Sequence, residues 1–376
     1  MGKKILKNRL IIRTAKEKDA SKIKKFISLN FKKNHILVKN NKFFNWQFKN
    51  ANKKINCTLA LRDKEIIGIY FYVPLGKFDK KLNKKKHIFG SIWTVKGFNK
   101  LQLPKNHKSD NDSKNLLTNF NKEGVAIALK IFFKLNLSFE PKLLIGIGVA
   151  PRFFRFHIQK KFKLVNSNHH FIASPDIKKF KILKNNYFSK KNINKQIQRK
   201  INFKLISKAN DLKKLNINKL FDYQIPTKSK DYLINRYLKH PIYKYYIYFI
   251  SQKKINNICI FRIVKLKKTR VIRIIDYVGS NNHFPILKNF FFEILQKYKA
   301  EYLDFYSYGI PLNILKKAGL ENKKNYKNLI IPDLFEPFVN KNLVVTIGYK
   351  KFDNKGFIRI FKGDGDQDRP TFTRKN

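Results

Sequence analysis

The run NKEGVAIALKIFFKLNLSFEPKLLIGIGVAPRFFRFHIQKKF, from Asn121 to Phe162, constrains this chain more than any other stretch. Val125, Ala128, Leu129, Phe132 and Phe133 recur at helical spacing, which predicts an amphipathic helix. Leu143 to Val149 is a continuous apolar run of strand length. Pro151 then stands where a first-turn proline is tolerated, ahead of Phe153, Phe156 and Phe162. The predicted unit is helix, buried strand, helix. The small residues Gly124 and Ala126 stand at the start of its first helix, where free backbone N–H groups face space that Cβ atoms would otherwise take. Such a place suits a phosphate.

That arrangement resembles the acyl-CoA-binding half of the GNAT superfamily of N-acyltransferases. Asn121-Lys122-Glu123-Gly124-Val125-Ala126 is similar to the Arg/Gln-x-x-Gly-x-Gly/Ala turn that cradles the CoA pyrophosphate in that family, with Asn in the Arg/Gln place. The resemblance implies that Asn121, Gly124, Val125 and Ala126 bind acetyl-CoA or another acyl-CoA, with no metal. Counting back from Phe162, His157 falls where the family often has a Tyr that acts as an acid toward the leaving thiolate. Lys161 and Ala150 fall at the family's Gly and Asn positions. Family members close on the acceptor with a rim built from their first helices, which makes His35 and Trp46 candidates for acceptor contacts. Trp46, next to Phe43 and Phe44 in the chain, also reads as core. His169 and His170 lie nearest in sequence to His157 and are further candidates on the acceptor side. The strand expected over His87 to Gly97 often carries a catalytic carboxylate in the family, and none is present here; Ser91 and Trp93 share one of its faces.

A chain of 376 residues is long for one core and comfortable for two. The first domain is expected over 1–185 and the second over 200–376, around a Lys- and Asn-rich segment between Lys178 and Lys200. The formal charge of +59 alone points to a polyanion. Lys, Asn, Ile and Phe dominate loops and helices alike, as coding bias would produce, and no nucleic-acid-binding module is recognisable, so no specific nucleic-acid partner is expected. Cys57 and Cys259 are far apart in strand-like contexts, which suggests buried thiols. His157, His169 and His170 cluster in sequence without a carboxylate or Cys, which falls short of a metal site. No run approaches the ~20 apolar residues of a membrane span, and a cytoplasmic location is expected.

Around the organising stretch the pattern is that of an α/β fold. Leu10 to Arg13 reads as a strand, and Asp19 opens a helix with Ile23, Phe26, Ile27 and Phe31 on one face. Thr58 to Val73 reads as a hairpin turning at Arg62-Asp63-Lys64, with Gly68 marking a bulge or a close backbone approach. Val165 to Ala173 reads as one closing strand region. The second half repeats the succession: strand, helices, a hairpin over Tyr243 to Val264, a strand, a helix from Phe284, a strand over Tyr302 to Tyr308, and a helix ending at Leu320. It lacks the Gly-x-Gly/Ala step. Two GNAT-like domains are therefore expected, each a mixed twisted sheet flanked by helices, the second degenerate.

The tail breaks the compositional bias. Asp364, Asp366 and Asp368 fall within five positions of a chain that holds 24 acidic residues in all. Calcium would need a bidentate Glu where Lys375 stands. The readings left are a solvated terminal turn, carboxylates that neutralise Lys across the domain interface, or carboxylates that recognise an amine. The ending is similar to that of tandem-GNAT proteins encoded among bacterial surface-polysaccharide genes. The resemblance implies transfer of an acyl group to the amine of an amino sugar or nucleotide sugar. The alternatives are a Fem-type aminoacyl-tRNA-dependent transferase, also built from paired GNAT folds, and a non-catalytic binding protein.

Overall fold

The computed structural model describes residues 9–96, 122–150, 154–183, 201–336, 338–353 and 356–371. The first half runs β1 (Leu10–Lys16), α1 (Ala20–Asn30), α2 (Ile36–Lys39), α3 (Asn41–Phe48), β2 (Lys54–Arg62), β3 (Glu65–Pro74) and β4 (His87–Val95). It continues through α4 (Lys122–Phe139), β5 (Leu143–Ile147), α5 (Phe154–Gln159), β6 (Lys163–Asn166) and β7 (Asn168–Ala173). The second half runs β8 (Asn202–Ile206), α6 (Ala209–Lys214), α7 (Lys230–Leu233), β9 (Tyr246–Gln252), β10 (Ile255–Leu266), β11 (Thr269–Val278), α8 (Leu287–Lys297) and β12 (Tyr302–Tyr308). After these come α9 (Leu312–Lys317), β13 (Glu321–Asn322), a small hairpin of β14 (Leu334–Phe335) and β15 (Phe338–Val339), β16 (Thr346–Lys351) and β17 (Ile360–Phe361).

Local chemistry explains many of these elements. Ile23, Phe26 and Ile27 bury one stripe of α1. Asn40 caps α3 by accepting the Phe43 N–H at 2.8 Å. The β2–β3 hairpin closes on Asp63 and Lys64, both at positive φ (48° and 65°), the backbone that a two-residue turn between right-twisted strands requires. Gly68 meets both of its expectations. The β2–β3 register shifts beside it, and a Cβ there would stand 2.8 Å from Ile131 Cδ1 on α4.

The first sheet has the order β1-β2-β3-β4-β5-β16-β6 and the second β13-β7-β12-β11-β10-β9-β8. Followed from β1 and from β8, the two orders coincide, and in each sheet one inserted strand comes from the other half. β16 lies antiparallel between β5 and β6, and β7 lies antiparallel between β12 and β13. The single closing strand expected over 165–173 is thus split at Ser167, whose N–H donates to Val345 O at 2.9 Å. β6 ends in one sheet and β7 begins in the other. The sequence-based division at 185–200 leaves β7 and β16 each in the sheet of the opposite half.

One face of each sheet is covered by its own crossover helix. Ile127, Ile131 and Leu135 of α4 pack on Tyr70, Tyr72 and Ile88; Phe290, Phe291 and Ile294 of α8 pack on Ile272, Ile274 and Phe305. The other faces share one core, in which Phe71 and Val73 belong to the same cluster as Ile258, Ile260 and Tyr237. Cys57 and Cys259 are free and buried. At the start of the expected linker, Ile182 and Leu183 are buried, and the N–H groups of Lys181, Ile182 and Leu183 donate to the Glu301 carboxylate at 2.9, 2.7 and 2.6 Å. This part of the segment is docked on the second half because a buried carboxylate there needs donors.

Candidate active site

Each sheet contains one pair of parallel strands that separate. β4 pairs with β5 only through His87–Leu143, Ile88–Leu144 and Phe89–Ile145, while β4 runs on to Val95. Just past the split, β4 bulges: Gly90 faces Tyr72 and Trp93 faces Tyr70, so Ser91 and Ile92 together oppose Phe71. Such a bulge takes backbone groups out of the ladder and turns them toward the opening. β11 and β12 repeat the arrangement, paired only at Ile272–Leu303, Arg273–Asp304 and Ile274–Phe305, with a register shift at Ile260/Phe261 beside them.

The two openings are occupied differently. In the second, β17 pairs antiparallel with β12, Phe361 with Ser307 and Ile360 with Tyr308. The opposite edge of β12 is held by β7 as far as Ser307, so β17 fills the opening itself. Gly309 permits this approach: its φ is +90°, and a Cβ there would stand 2.0 Å from Ile358 O. Ion pairs lock the plug, because the buried Lys228 ammonium joins Asp276 of β11 to Asp364, and the Tyr237 hydroxyl donates to Asp276 at 2.5 Å. Burial pushes the Asp364 carboxyl up to about 6, with Lys228 opposing the rise and Asp276 adding to it.

In the first opening no strand enters among the described residues. The tail, having plugged the second, crosses the tip of the first. Gln367 Nε2 donates to Ile147 O at the end of β5 (3.0 Å), and Asp366 accepts from Ser91 Oγ on β4 and from Gln47 Nε2 on α3 (3.2 Å). Gly148 lies at φ +76°, where a Cβ would stand 2.0 Å from Gln367 Nε2, so this close passage requires glycine. Of the readings for the acidic tail, the solvated turn is excluded. Asp364 and Asp368 are buried and paired with Lys228 and Arg262, and Arg236 donates to Gly365 O at 3.2 Å. At those positions the tail neutralises cations of its own half, not, as one reading expected, Lys across the interface between the halves.

The predicted site residues are scattered around this centre. α4 begins at Lys122, with Gly124 buried in its first turn, Val125 half-buried against the outer core and Ala126 exposed. Asn121 lies outside the described residues. His157 is buried on α5, its ring edge-on to Phe162 at 4.9 Å between centroids. A Cβ on Gly348 would stand 3.1 Å from His157 Cδ2, so the imidazole rests over β16, the strand next to β5. His35 caps α2, its Nδ1 accepting the Leu37 N–H at 3.2 Å. Burial, reinforced by the Arg369 and Lys32 charges, pushes the His35 imidazole down to about 2.

Trp46 lies on the interface between the halves. Its indole N–H donates to Asn235 O at 3.2 Å, His240 packs edge-on against it at 4.5 Å, and the Arg236 guanidinium stands 5.4 Å from its ring centroid. His169 and His170 belong to the second sheet, because β7 is the exchanged strand. His169 Nε2 lies 3.2 Å from Asp304 Oδ2, and its ring stacks on Tyr306 at 3.9 Å. Burial holds its basicity down, with Asp304 opposing. Burial works against the Asp304 charge too, but Arg273 and His169 outweigh it and keep that carboxyl below its usual range. His170 is buried and pushed down to about 4, by burial first and by His169 second. Neither joins His157; sequence proximity had grouped residues that the strand exchange separates. Gln47, Gln367 and Lys228 escaped sequence reading. Each is a single polar residue without a motif, and only the absence of compositional explanation for the acidic tail pointed in their direction.

No family model and no curated protein matches the sequence. Among solved structures, the chain is similar to a GCN5-related N-acetyltransferase from Kribbella flavida (6% identity, TM-score 0.52, covering 93% of this chain and 73% of that one). It is similar also to one from Anabaena variabilis ATCC 29413 (10% identity, TM-score 0.51, covering 92% and 73%). No helix among the described residues is long and apolar enough to cross a membrane. At such identities the likeness speaks for architecture alone, and together with the two diverging strand pairs it shows that the chain has the fold of the GCN5-related N-acetyltransferases.

Proposed function

We propose that the protein is an acyl-CoA-dependent N-acyltransferase working in the first half, in the opening between β4 and β5. The observation that carries this reading is the contrast between the openings: the second is filled by the chain's own β17, and no described strand fills the first. The fit to an acyl-CoA rests on the donors around it. The first turn of α4, with Gly124 buried and Ala126 small, offers N–H groups and a positive helix end to the pyrophosphate. The β4 bulge offers backbone N–H groups to the oxyanion that forms when an amine attacks the thioester carbonyl. We assign His157 as the proton donor to the departing thiolate, since its ring lies over β16, about 4.8 Å of strand spacing from β5.

The acceptor in this reading is a small amine, and the resemblance to polysaccharide-associated proteins makes an amino sugar or nucleotide-linked sugar our choice. Because acyl-CoA is a cytoplasmic donor, we place the protein in the cytoplasm. Thermal unfolding with acetyl-CoA tests the core of the proposal: a ligand at 100 times its Kd adds about 2.7 kcal/mol to stability. Stabilisation by acetyl-CoA supports it. Stabilisation by charged tRNA alone would replace it with the Fem-type transferase, and stabilisation by neither with a binding protein.

A further inference from the structure

Lysine is spread over the whole chain, so charge by itself selects no face of it. The outer side of the first half differs in what stands between its lysines. Along α4, Ile127, Ile131 and Leu135 pack into the outer core, and the opposite stripe presents Lys130, Phe133, Lys134 and Leu137, at i, i+3, i+4 and i+7, to solvent. Phe133 is 44% exposed and Leu137 78%.

The face continues onto two neighbouring elements through lysine side chains. The ammonium of Lys160, one residue beyond α5, stands 4.7 Å from the Phe133 ring centroid. Lys350 of β16 donates to Lys160 O at 2.9 Å and holds its ammonium 4.9 Å from the ring centroid of Phe352. Phe352 is 47% exposed, and Ile158, on α5 two residues before Lys160, is 64% exposed. Phe133, Lys160, Lys350 and Phe352 are therefore contiguous, with Leu137 one turn along α4.

Cations on this face lack carboxylate partners. Among the described residues, lysine ion pairs form at Lys49, Lys86, Lys96, Lys228 and Lys362, and none forms here. Of the nearby acids, Glu140 is held by Lys86 at 2.6 Å and Asp353 is half-buried. Burial first, then the Lys161 and Lys160 charges, hold Lys350 below the ordinary lysine range. Exposed apolar side chains interleaved with such cations match an anionic bilayer, which takes the apolar groups beneath its headgroups and the ammonium groups among them. A nucleic acid would meet the lysines but offer nothing to Leu137 and Ile158, and a second copy of this chain would set lysine against lysine.

We propose that the face formed by α4, α5 and the end of β16 docks the protein on an anionic lipid surface, with Phe133, Leu137, Ile158 and Phe352 entering the headgroup region. Docking there does not depend on the chemistry of the cleft.

The test is co-sedimentation of the full chain with vesicles of phosphatidylcholine alone and of phosphatidylcholine and phosphatidylglycerol in equal parts. Binding to the mixed vesicles is expected, and its absence would overturn the proposal. Any basic protein is drawn to such vesicles, so the deciding variants leave the charge unchanged. The triple variant Phe133→Ser, Leu137→Ser, Ile158→Ser is expected to bind the mixed vesicles about tenfold more weakly, with the parent's circular dichroism and thermal unfolding. Leu29→Ser, 73% exposed on α1 across the first sheet, is expected to bind as the parent does. Loss in both or in neither would leave bulk charge as the cause and overturn the proposal. Leu137→Trp gives a reading that removes no apolar contact: its added emission is expected to be quenched by lipids brominated on their chains, and unquenched emission would count against docking. If binding to an RNA homopolymer falls in the triple variant while vesicle binding does not, the face belongs to a nucleic acid and the proposal fails.

Discussion

The first and second halves carry the same strand order, the same pair of diverging parallel strands and a bulge in the first strand of each pair, yet their openings differ in content. In the second half the split between β11 and β12 receives β17, and the charges that line it are consumed internally by Lys228, Asp276 and Asp364. In the first half, among the described residues, the split between β4 and β5 meets the turn of the tail at its tip, through Asp366 and Gln367. One stretch of chain, residues 358–369, therefore closes one cleft and furnishes the other. A repeated architecture does not imply a repeated activity, because what enters the opening decides the chemistry.

The contrast can be broken most severely at the start of α4. Gly124→Asp puts bulk and negative charge where the pyrophosphate is proposed to bind, and it is expected to abolish stabilisation by acetyl-CoA. An unchanged thermal shift would make the two clefts equivalent. His157→Ala tests the chemistry rather than the binding: turnover with an active acceptor is expected to fall about 10²- to 10⁴-fold with acetyl-CoA stabilisation intact. Turnover at the parent rate would leave His157 as a ring packed on Phe162.

On the other side, Lys228→Met leaves the Asp276 and Asp364 carboxylates buried without their cation. Denaturant unfolding is expected to show a loss of about 3–5 kcal/mol, the usual cost of breaking a buried ion pair. Acetyl-CoA should still stabilise the folded variant, since the plug belongs to the other opening. A lost acetyl-CoA response in a folded Lys228→Met protein would mean that the two clefts are coupled.

The smallest effects are in pH dependence, where the halves carry groups of opposite sign. His35 has a folded-state imidazole lowered to about 2, so the unfolded chain binds the extra proton, and its contribution to stability is lost as pH falls below the ordinary histidine range. Asp364 has a folded-state carboxyl raised to about 6, so its contribution is present at low pH and is lost as pH rises from the ordinary carboxylate range through that value. The stability difference between parent and His35→Asn, which keeps a capping side chain, is expected to shrink on acidification. The difference between parent and Asp364→Asn is expected to move the other way. Parallel curves for both variants would contradict the assigned environments.

Much of the fold could be read from local pattern. The apolar stripe of α1, the positive-φ turn at Asp63-Lys64, the demand on Gly68 and the helix–strand–helix unit around β5 depend on residues close in sequence. The candidate site was less accessible. His35, Trp46, His169 and His170 were singled out by residue type and neighbourhood, and burial shows what each does locally: a helix cap, an interface ring, a carboxylate partner and a buried neutral imidazole. The second half shows the same limit, for after β8 the chain forms only a short α6 and then a 3-10 turn at Asn218–Tyr223, with Leu220 and Phe221 buried where packing required them.

By itself the sequence determined the kinds of element, their order, the doubled α/β plan and the anomaly of an acidic tail in a lysine-rich chain. The tertiary structure decided which sheet each strand joined and which cation each tail carboxylate met. Periodicity specifies which face of a strand is apolar, but β7 and β16 are buried through most of their length and offer the same backbone donors and acceptors to either sheet. The choice of partner, and with it the path of the tail through both clefts, follows from packing the shared core and pairing every buried charge at once, which no stretch of sequence specifies alone.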